Sequence, residues 1–417
     1  MKILVCGAHG FIGAAICAQL QKDGHEVLKG TREVRRSDEV VINYLRDTEV
    51  SDWLPRLRGV DAVVNAIGII TERDGQTFDL IHTRAPQALF AACQQAGIQR
   101  VVQISAVGAE TRLTPYYASK CAADDFLLAQ PGLIARVLRP GMVYGVNGAS
   151  ARLFRMLASL PLHALPGGGK QPVQPVHVDE LAEVVSRQLS ANSSGCPNLV
   201  GAETVSYAQM LQAYRRGMAL PRTIGVSLPR FWMSLVATVL DKVPGSIFTK
   251  QTWRMLQAAQ AYPLDDIIAA LGRKPLGISQ FIRPAEAGLL RQEALAGWRN
   301  PLLRLALAAT WLGTAWVSAL VYPQADSLAL LAQVHLNGTA GLVALYGACG
   351  LDALLGLLTL FWPRRALWYG QAALVLAYSV VICMALPQFL AQPFGPVLKN
   401  IPILAILLLL ASEERAA

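Results

Sequence analysis

The 417-residue sequence predicts an α/β fold: a Rossmann-type doubly wound parallel sheet with a small, mainly helical substrate lobe, followed by a four-helix transmembrane bundle. Three observations predict it. Short β-rich runs alternate with helical stretches over residues 2–105, the pattern of βαβ units. A glycine motif occupies the first strand-to-helix junction. Charge then almost vanishes: the last 117 residues hold five Lys/Arg and four Asp/Glu, against 32 and 24 in the first 300. Two solvents are implied, water for the first part and lipid for the second. With 53% apolar and 16% charged residues, the chain is not intrinsically disordered.

In chain order, strands are expected at 3–6, 26–28, 62–65 and 101–105, with helices at 14–22 and 86–96 between them. This places a nucleotide-binding domain at 1–200. A mainly helical lobe and connector follow at 201–299, with turns at Pro221, Pro229, Pro244 and Pro275. Residues 231–243 are apolar over much of their surface and read as core packing of this lobe rather than as a membrane-docking helix. Apolar stretches at 302–322, 338–361, 366–386 and 397–412 make up a membrane domain at 300–417. At about 1.5 Å per residue, roughly 20 residues match a hydrocarbon core near 30 Å. The fourth stretch is short, but Lys399 can snorkel and Pro402 lies near the helix start. Asp352 lies well inside the second stretch and marks a functional or paired site, with Gln371 or Tyr378 as partners; Ala348 and Gly356 let another helix approach.

Arg291, Arg299 and Arg304 flank the first span, Arg364 and Arg365 separate the second and third, and Arg415 follows the fourth. The 323–337 loop has neither Lys nor Arg. The positive-inside rule then places both termini and the water-soluble region in the cytoplasm, on an inner membrane, with Lys399 as the one dissenting charge. The N-terminus runs directly into a strand without a signal-peptide pattern, which agrees. The net charge of +9 falls almost entirely in residues 1–300 and suits an anionic cofactor or membrane surface. No nucleic-acid module is recognisable, and no nucleic-acid partner is expected. Seven cysteines without a CxxC pair support neither a disulfide framework nor a metal site.

Gly7, Gly10 and Gly13 follow the first strand and open a helix, so a dinucleotide pyrophosphate is expected on Gly7, His9, Gly10, Phe11, Ile12 and Gly13. After the second strand, Thr31 and Arg32 stand where an NAD-selective site carries an acid. Arg32, backed by Arg35 and Arg36, favours NADP(H) over NAD(H). Asn65, Ala66, Ile67 and Gly68 follow a buried strand and line the cleft with their backbone. Tyr116 and Lys120 stand four residues apart on one helix face, where an ammonium can lower the phenol pKa and hold ribose hydroxyls. Tyr117 is one position out of register. His177 reads as a structural turn, with Asp179 capping the next helix.

These motifs, together with Ser105, Leu138-Arg139-Pro140-Gly141, Tyr144-Gly145 and Pro175-Val176-His177-Val178-Asp179, resemble the extended or atypical short-chain dehydrogenase/reductase superfamily. The chain is similar to the branch that includes the NADPH-binding accessory subunit of respiratory complex I, over about residues 1–285. The resemblance implies Tyr116, Lys120 and Ser105 as the catalytic set and adds Pro140 to the cofactor-binding residues. Residues 300–412, including Tyr322-Pro323 and Gln392-Pro393-Phe394-Gly395-Pro396, resemble DoxX-like four-helix membrane domains, some associated with quinone-linked redox systems. The implied function is a membrane-attached NAD(P)H-dependent oxidoreductase whose partners are the dinucleotide, a small carbonyl or quinone-like acceptor and the bilayer. Two alternatives stand beside it: a non-catalytic NADPH-bound assembly or sensor subunit docked to a respiratory protein complex, and a sugar-nucleotide epimerase or dehydratase.

Overall fold

A computed structural model describes residues 1–243, 246–391 and 395–414. The Pro244 turn, Gln392-Pro393-Phe394 and Arg415 lie outside the described residues. The chain forms two compact units, Met1–Ala294 and Leu295–Ala417.

In the first unit the four expected strands appear as β1 (Lys2–Cys6), β2 (Glu26–Thr31), β4 (Ala62–Asn65) and β5 (Arg100–Ile104), and two that were not expected join them, β3 (Glu39–Val41) and β6 (Ile134–Pro140). With a short strand, Asn198–Leu199, they form a seven-stranded sheet in the order Asn198–Leu199, β6, β5, β4, β1, β2, β3. Every pairing in it is parallel. Strand periodicity explains the two layers. Ile3 and Val5 of β1 point to one face and join Ile16 and Leu20 of α1 (Phe11–Lys22), while Leu4 and Cys6 point to the other. After the short α2 (Val50–Trp53), that second face is covered by α3 (Ala85–Gln95) and α4 (Pro115–Leu128), through Leu89, Phe90 and Leu127. Burial on both faces is why the strands read as unbroken apolar runs.

Next come α5 (Ala149–Ser159), α6 (Val178–Gln188), α7 (Tyr207–Gly217), α8 (Arg230–Leu240), α9 (Lys250–Gln257) and α10 (Asp265–Leu271). Residues 201–294 pack into this unit, where Met210, Leu211, Tyr214, Phe281 and Ile282 share a core with Tyr144. His177 itself caps α6: its Nδ1 accepts the Asp179 N–H at 3.3 Å, so the cap lies two residues before the expected Asp179. The core-packing expectation for residues 231–243 is overturned. Only Met233 and Ala237 of α8 are buried, against Trp253, while Phe231, Trp232 and Val239 are exposed. A helix apolar on all sides looks like core in sequence; its burial depends on whether a second element covers it, and here one face stays uncovered.

The second unit contains the later part of α11 (Pro284–Trp316), a π-helical turn Val317–Val321, α12 (Gln324–Gln333), α13 (Gly338–Phe361), α14 (Arg365–Ala385) and α15 (Asn400–Glu413). Among the described residues, three helical stretches, Pro284–Val321, Gly338–Phe361 and Arg365–Ala385, are long and apolar enough to cross a membrane. The fourth expected span is the 14-residue α15, shorter than the roughly 20 residues a full crossing takes. The expected 323–337 loop contains α12. Outward-facing Leu320, Val343 and Met384 are largely exposed, as suits lipid-facing positions. Gly356 brings α13 against Leu312 of α11, where an added Cβ would stand 2.7 Å from the Leu312 side chain. Inside, Trp311 Nε1 donates to Gln371 Oε1 at 2.9 Å and Gln371 Nε2 to Thr359 Oγ1 at 2.8 Å. Gln371 is thus occupied, and the buried Asp352 Oδ1 has no hydrogen-bond partner among the described residues.

Candidate cofactor cleft

The glycine turn at the end of β1 has room only for glycine. Gly7 adopts φ +82°, and a Cβ on Gly13 would lie 2.0 Å from the Gly7 carbonyl oxygen. Gly10 caps α1 without a side-chain bond, so the first N–H groups of the helix, from Phe11 on, have no intrahelical acceptor. The side chains beside it are already placed: the Phe11 ring lies 2.6 Å from where a Gly145 Cβ would stand, and Ile12 packs on the core. Free N–H groups, a positive helix end and a concavity without Cβ atoms fit a dinucleotide pyrophosphate.

The four residues after β4 make the facing wall. Asn65 is buried and committed to the protein: its Nδ2 donates to Gln103 Oε1 at 2.7 Å, and its Oδ1 accepts from Tyr44 Oη at 2.7 Å and from the Ile67 N–H at 3.2 Å. Its role is to fix the loop, leaving Ala66, Ile67 and exposed Gly68 to line the cleft. The Lys120 ammonium reaches that loop, 3.0 Å from where a Gly68 Cβ would stand, and donates to the Ile104 carbonyl at 3.0 Å. Pro140, at the end of β6, accepts the Val107 N–H at 3.0 Å.

Tyr116, Lys120 and Asp124 follow one another at four-residue spacing along α4. Burial holds the Lys120 ammonium down to about 8, with Asp124 opposing. Burial also pushes the Asp124 carboxyl up to about 6, against its hydrogen bond from Ser105 and the charges of Lys120 and Arg139. The Tyr116 phenol is raised by burial, with Tyr117 and Asp124 adding to the rise. The expected lowering of this phenol by Lys120 is therefore overturned: desolvation dominates, and Tyr116 is a neutral phenol at pH 7. Tyr117 turns onto Gly108. Ser105 Oγ donates to Asp124 Oδ2 at 2.5 Å, so the catalytic role that the resemblance implies for its hydroxyl requires that bond to open. The next two residues, Ala106 and Val107, offer no hydroxyl in its place.

Arg32 stands exposed just beyond β2. Glu39 organises the basic turn around it by accepting the Arg35 and Arg36 N–H groups at 2.6 and 3.1 Å and bonding the His9 ring at 3.1 Å. Those bonds hold its carboxyl below the usual range, the Arg35 N–H most strongly. Thr31 Oγ1 is bonded locally to Glu33.

Three residues at this cleft escaped the sequence reading. Asp124 had a usable signal, its spacing from Lys120. His82 did not: it sits in a π-helical turn, Asp79–Arg84, accepts the Ile69 N–H on Nε2 at 3.0 Å, bonds Ser119 Oγ through Nδ1 and packs edge-on to Tyr116. Accepting on Nε2 requires a neutral ring, and burial, aided by the Lys120 charge, lowers its pKa well below the ordinary value. Glu39 meets His9 across 30 residues of sequence, which no local motif shows.

Comparison with known proteins agrees with this architecture. Residues 3–200 match the NAD dependent epimerase/dehydratase family, and residues 308–408 match the DoxX-like family. A 3-diazoavenalumate denitrifying reductase from a Streptomyces species is 27% identical over 66% of this chain and 96% of its own. The mitochondrial NADH dehydrogenase [ubiquinone] 1 alpha subcomplex subunit 9 of Arabidopsis thaliana is 26% identical over 61% of this chain and 67% of its own. In fold, the chain resembles the human epimerase family protein SDR39U1, solved with NADPH, at a TM-score of 0.55 and 20% identity, covering 70% of this chain and 99% of that one. The chain thus joins an NAD-dependent domain similar to the epimerase/dehydratase family, at residues 3–200, to a DoxX-like domain at residues 308–408.

Proposed function

We propose that the protein is a membrane-attached NADPH-dependent oxidoreductase that reduces a carbonyl or quinone-like acceptor. The observation that carries this reading is the α4 face: a protonated phenol at Tyr116, and one turn on an ammonium at Lys120 that reaches the Gly68 loop. The nicotinamide, when bound, supplies the hydride. Tyr116 gives its phenolic proton to the acceptor oxygen as charge develops there. Lys120 holds ribose hydroxyls and keeps a positive charge beside the reacting centre. Gly7, His9, Gly10, Phe11, Ile12 and Gly13 take the pyrophosphate, Ala66 to Gly68 line the opposite wall beside Pro140, and Thr31 and Arg32 read the adenosine ribose. The basic turn supports NADP(H) over NAD(H), since Arg32 suits a 2′-phosphate. Named relatives that include a reductase support an oxidoreductase. Arginine placement supports an inner-membrane protein with its first unit in the cytoplasm.

A second reading, a non-catalytic nucleotide-bound subunit of a respiratory complex, is favoured by one observation. The Ser105 hydroxyl is spent on Asp124, which leaves the catalytic set short of a free hydroxyl. Tyr116→Phe separates the two. In an enzyme it lowers turnover by about 10²–10⁴-fold while bound nucleotide is retained. A loss smaller than about threefold rejects the proton-donor mechanism and leaves the non-catalytic reading.

A further inference from the structure

We propose that the uncovered face of α8 docks on an anionic lipid surface. Phe231, Trp232, Leu235, Val236 and Val239 recur at helical spacing along this face, and all are exposed, Phe231 by 71% and Val239 by 58%. The opposite face, Met233 and Ala237, is already packed on Trp253 of α9, so the helix is fixed in orientation with its aromatic side outward. The strand that leads into it, Ile224–Leu228, exposes Ile224 and Val226 as well. Helix hydroxyls are satisfied internally: Ser234 Oγ donates to the Arg230 carbonyl at 3.0 Å and Thr238 Oγ1 to the Ser234 carbonyl at 2.8 Å. Neither hydroxyl on this helix then has to be stripped of water without a partner when the face enters a lipid headgroup layer, where the Trp232 indole N–H can donate to the headgroups.

Charge selects the occupant. Residues 216–254 contain six Lys/Arg and one acid, Asp241. Arg222, Arg230, Lys242, Lys250 and Arg254 are all exposed. Aromatic and aliphatic side chains bordered by cations are the makeup of an interfacial helix on anionic lipid. A second copy is a poor occupant, because a symmetric pairing would set the same cations against each other. Three membrane-length helices among the described residues of the same chain tether the first unit to a bilayer. Docking bears on the cleft, because Gln251 of α9 donates to the Ile70 carbonyl, two residues beyond Gly68.

The test uses the full chain in nanodiscs of equal phosphatidylglycerol and phosphatidylcholine, doped with a photoactivatable phosphatidylcholine, with adducts mapped by mass spectrometry. Adducts are expected on residues 224–243 as well as on 338–361, the internal reference. Trp232→Asp with Val239→Asp should lower the first about tenfold and leave the second unchanged. Arg222→Gln with Lys242→Gln, which alters only exposed charge, should lower the first severalfold in mixed discs and abolish its dependence on phosphatidylglycerol. Labelling of 338–361 without 224–243 overturns the proposal. So do a cross-link between two copies through α8 in place of lipid adducts, and labelling of 224–243 that neither pair of substitutions changes.

Discussion

Burial of Lys120 beneath the Gly68 loop makes the stability of the first unit depend on pH in a defined direction. Its ammonium titrates at about 8 in the folded chain and at 10.5 when exposed. Between those values the Lys120 site of the unfolded chain binds more protons, so the Lys120 contribution to stability rises from pH 8 to 10.5 as its desolvation penalty, complete below 8, is relieved. Asp124 acts at the other end. With a folded value near 6 against 3.8, it makes the folded chain the better proton binder in that window, so stability falls as pH climbs from 3.8 to 6. Buried thiols such as Cys17 and Cys196, raised to about 11, oppose the first slope, and carboxylates held low, such as Glu39, oppose the second, so each contribution is read as the difference in thermal unfolding across pH between the native chain and Lys120→Met or Asp124→Asn. A Lys120→Met protein with the same alkaline slope would show that another group carries it. Arg32 gives a separate expectation. Arg32→Ala should weaken NADPH by about 1.5–3 kcal/mol, the worth of a charge-assisted hydrogen bond, and leave NADH nearly unaffected. Fluorescence titration with both reduced cofactors decides it, and an equal loss for the two would point to misfolding of the turn that Glu39 holds.

The elements of the membrane unit divide into a satisfied polar cluster and an unsatisfied group. Gln371 accepts from Trp311 and donates to Thr359, all three buried. Gln371→Leu strands an indole N–H, at a cost of about 1–3 kcal/mol. Asp352 has a buried oxygen without a partner, so Asp352→Asn, which halves the acceptor demand, should leave the unfolding temperature in detergent unchanged or raised. A marked fall for Asp352→Asn would mean that its carboxylate is a structural anchor. The sequence showed these elements unevenly. Apolar length set α13 to its residue bounds and α14 to within one residue, because span length is fixed by the bilayer rather than by any partner. The Gln371 pairing depended on which helix faces which, and periodicity does not carry that information. The same gap explains α8, whose apolar pattern is equally compatible with core and with an uncovered face.

At the scale of the molecule, the sheet and its glycine turn were legible because both are local: alternation within strands, and glycines three residues apart. What stayed hidden was made by long-range approach, as when Glu39 meets His9 or His82 meets Ser119. Transmembrane topology lies between these cases, since charges are readable but crossings need geometry. Arg304 donates to the Thr359 and Leu360 carbonyls at the end of α13, beside the turn that carries Arg364 and Arg365. Trp368, near the start of α14, donates to Glu414 at the end of α15. The arginines and the last described residue of the chain therefore gather at one end of this unit. Asn400, which opens α15, donates to Ser379, well along α14, so α15 starts inside the bundle rather than at its far end. A 14-residue helix, about 21 Å long, can then finish a crossing that the preceding residues begin. In the orientation proposed above from the positive-inside rule, the arginine end faces the cytoplasm. A reporter fused after Ala417 should read cytoplasm, and one inserted at Asp326 should read the opposite side. A fusion after Ala417 on the outer side with Asp326 on the cytoplasmic side would mean that the orientation is inverted, whereas both reporters on the outer side would mean that α15 returns without crossing and that the Trp368 to Glu414 bond does not survive in the bilayer.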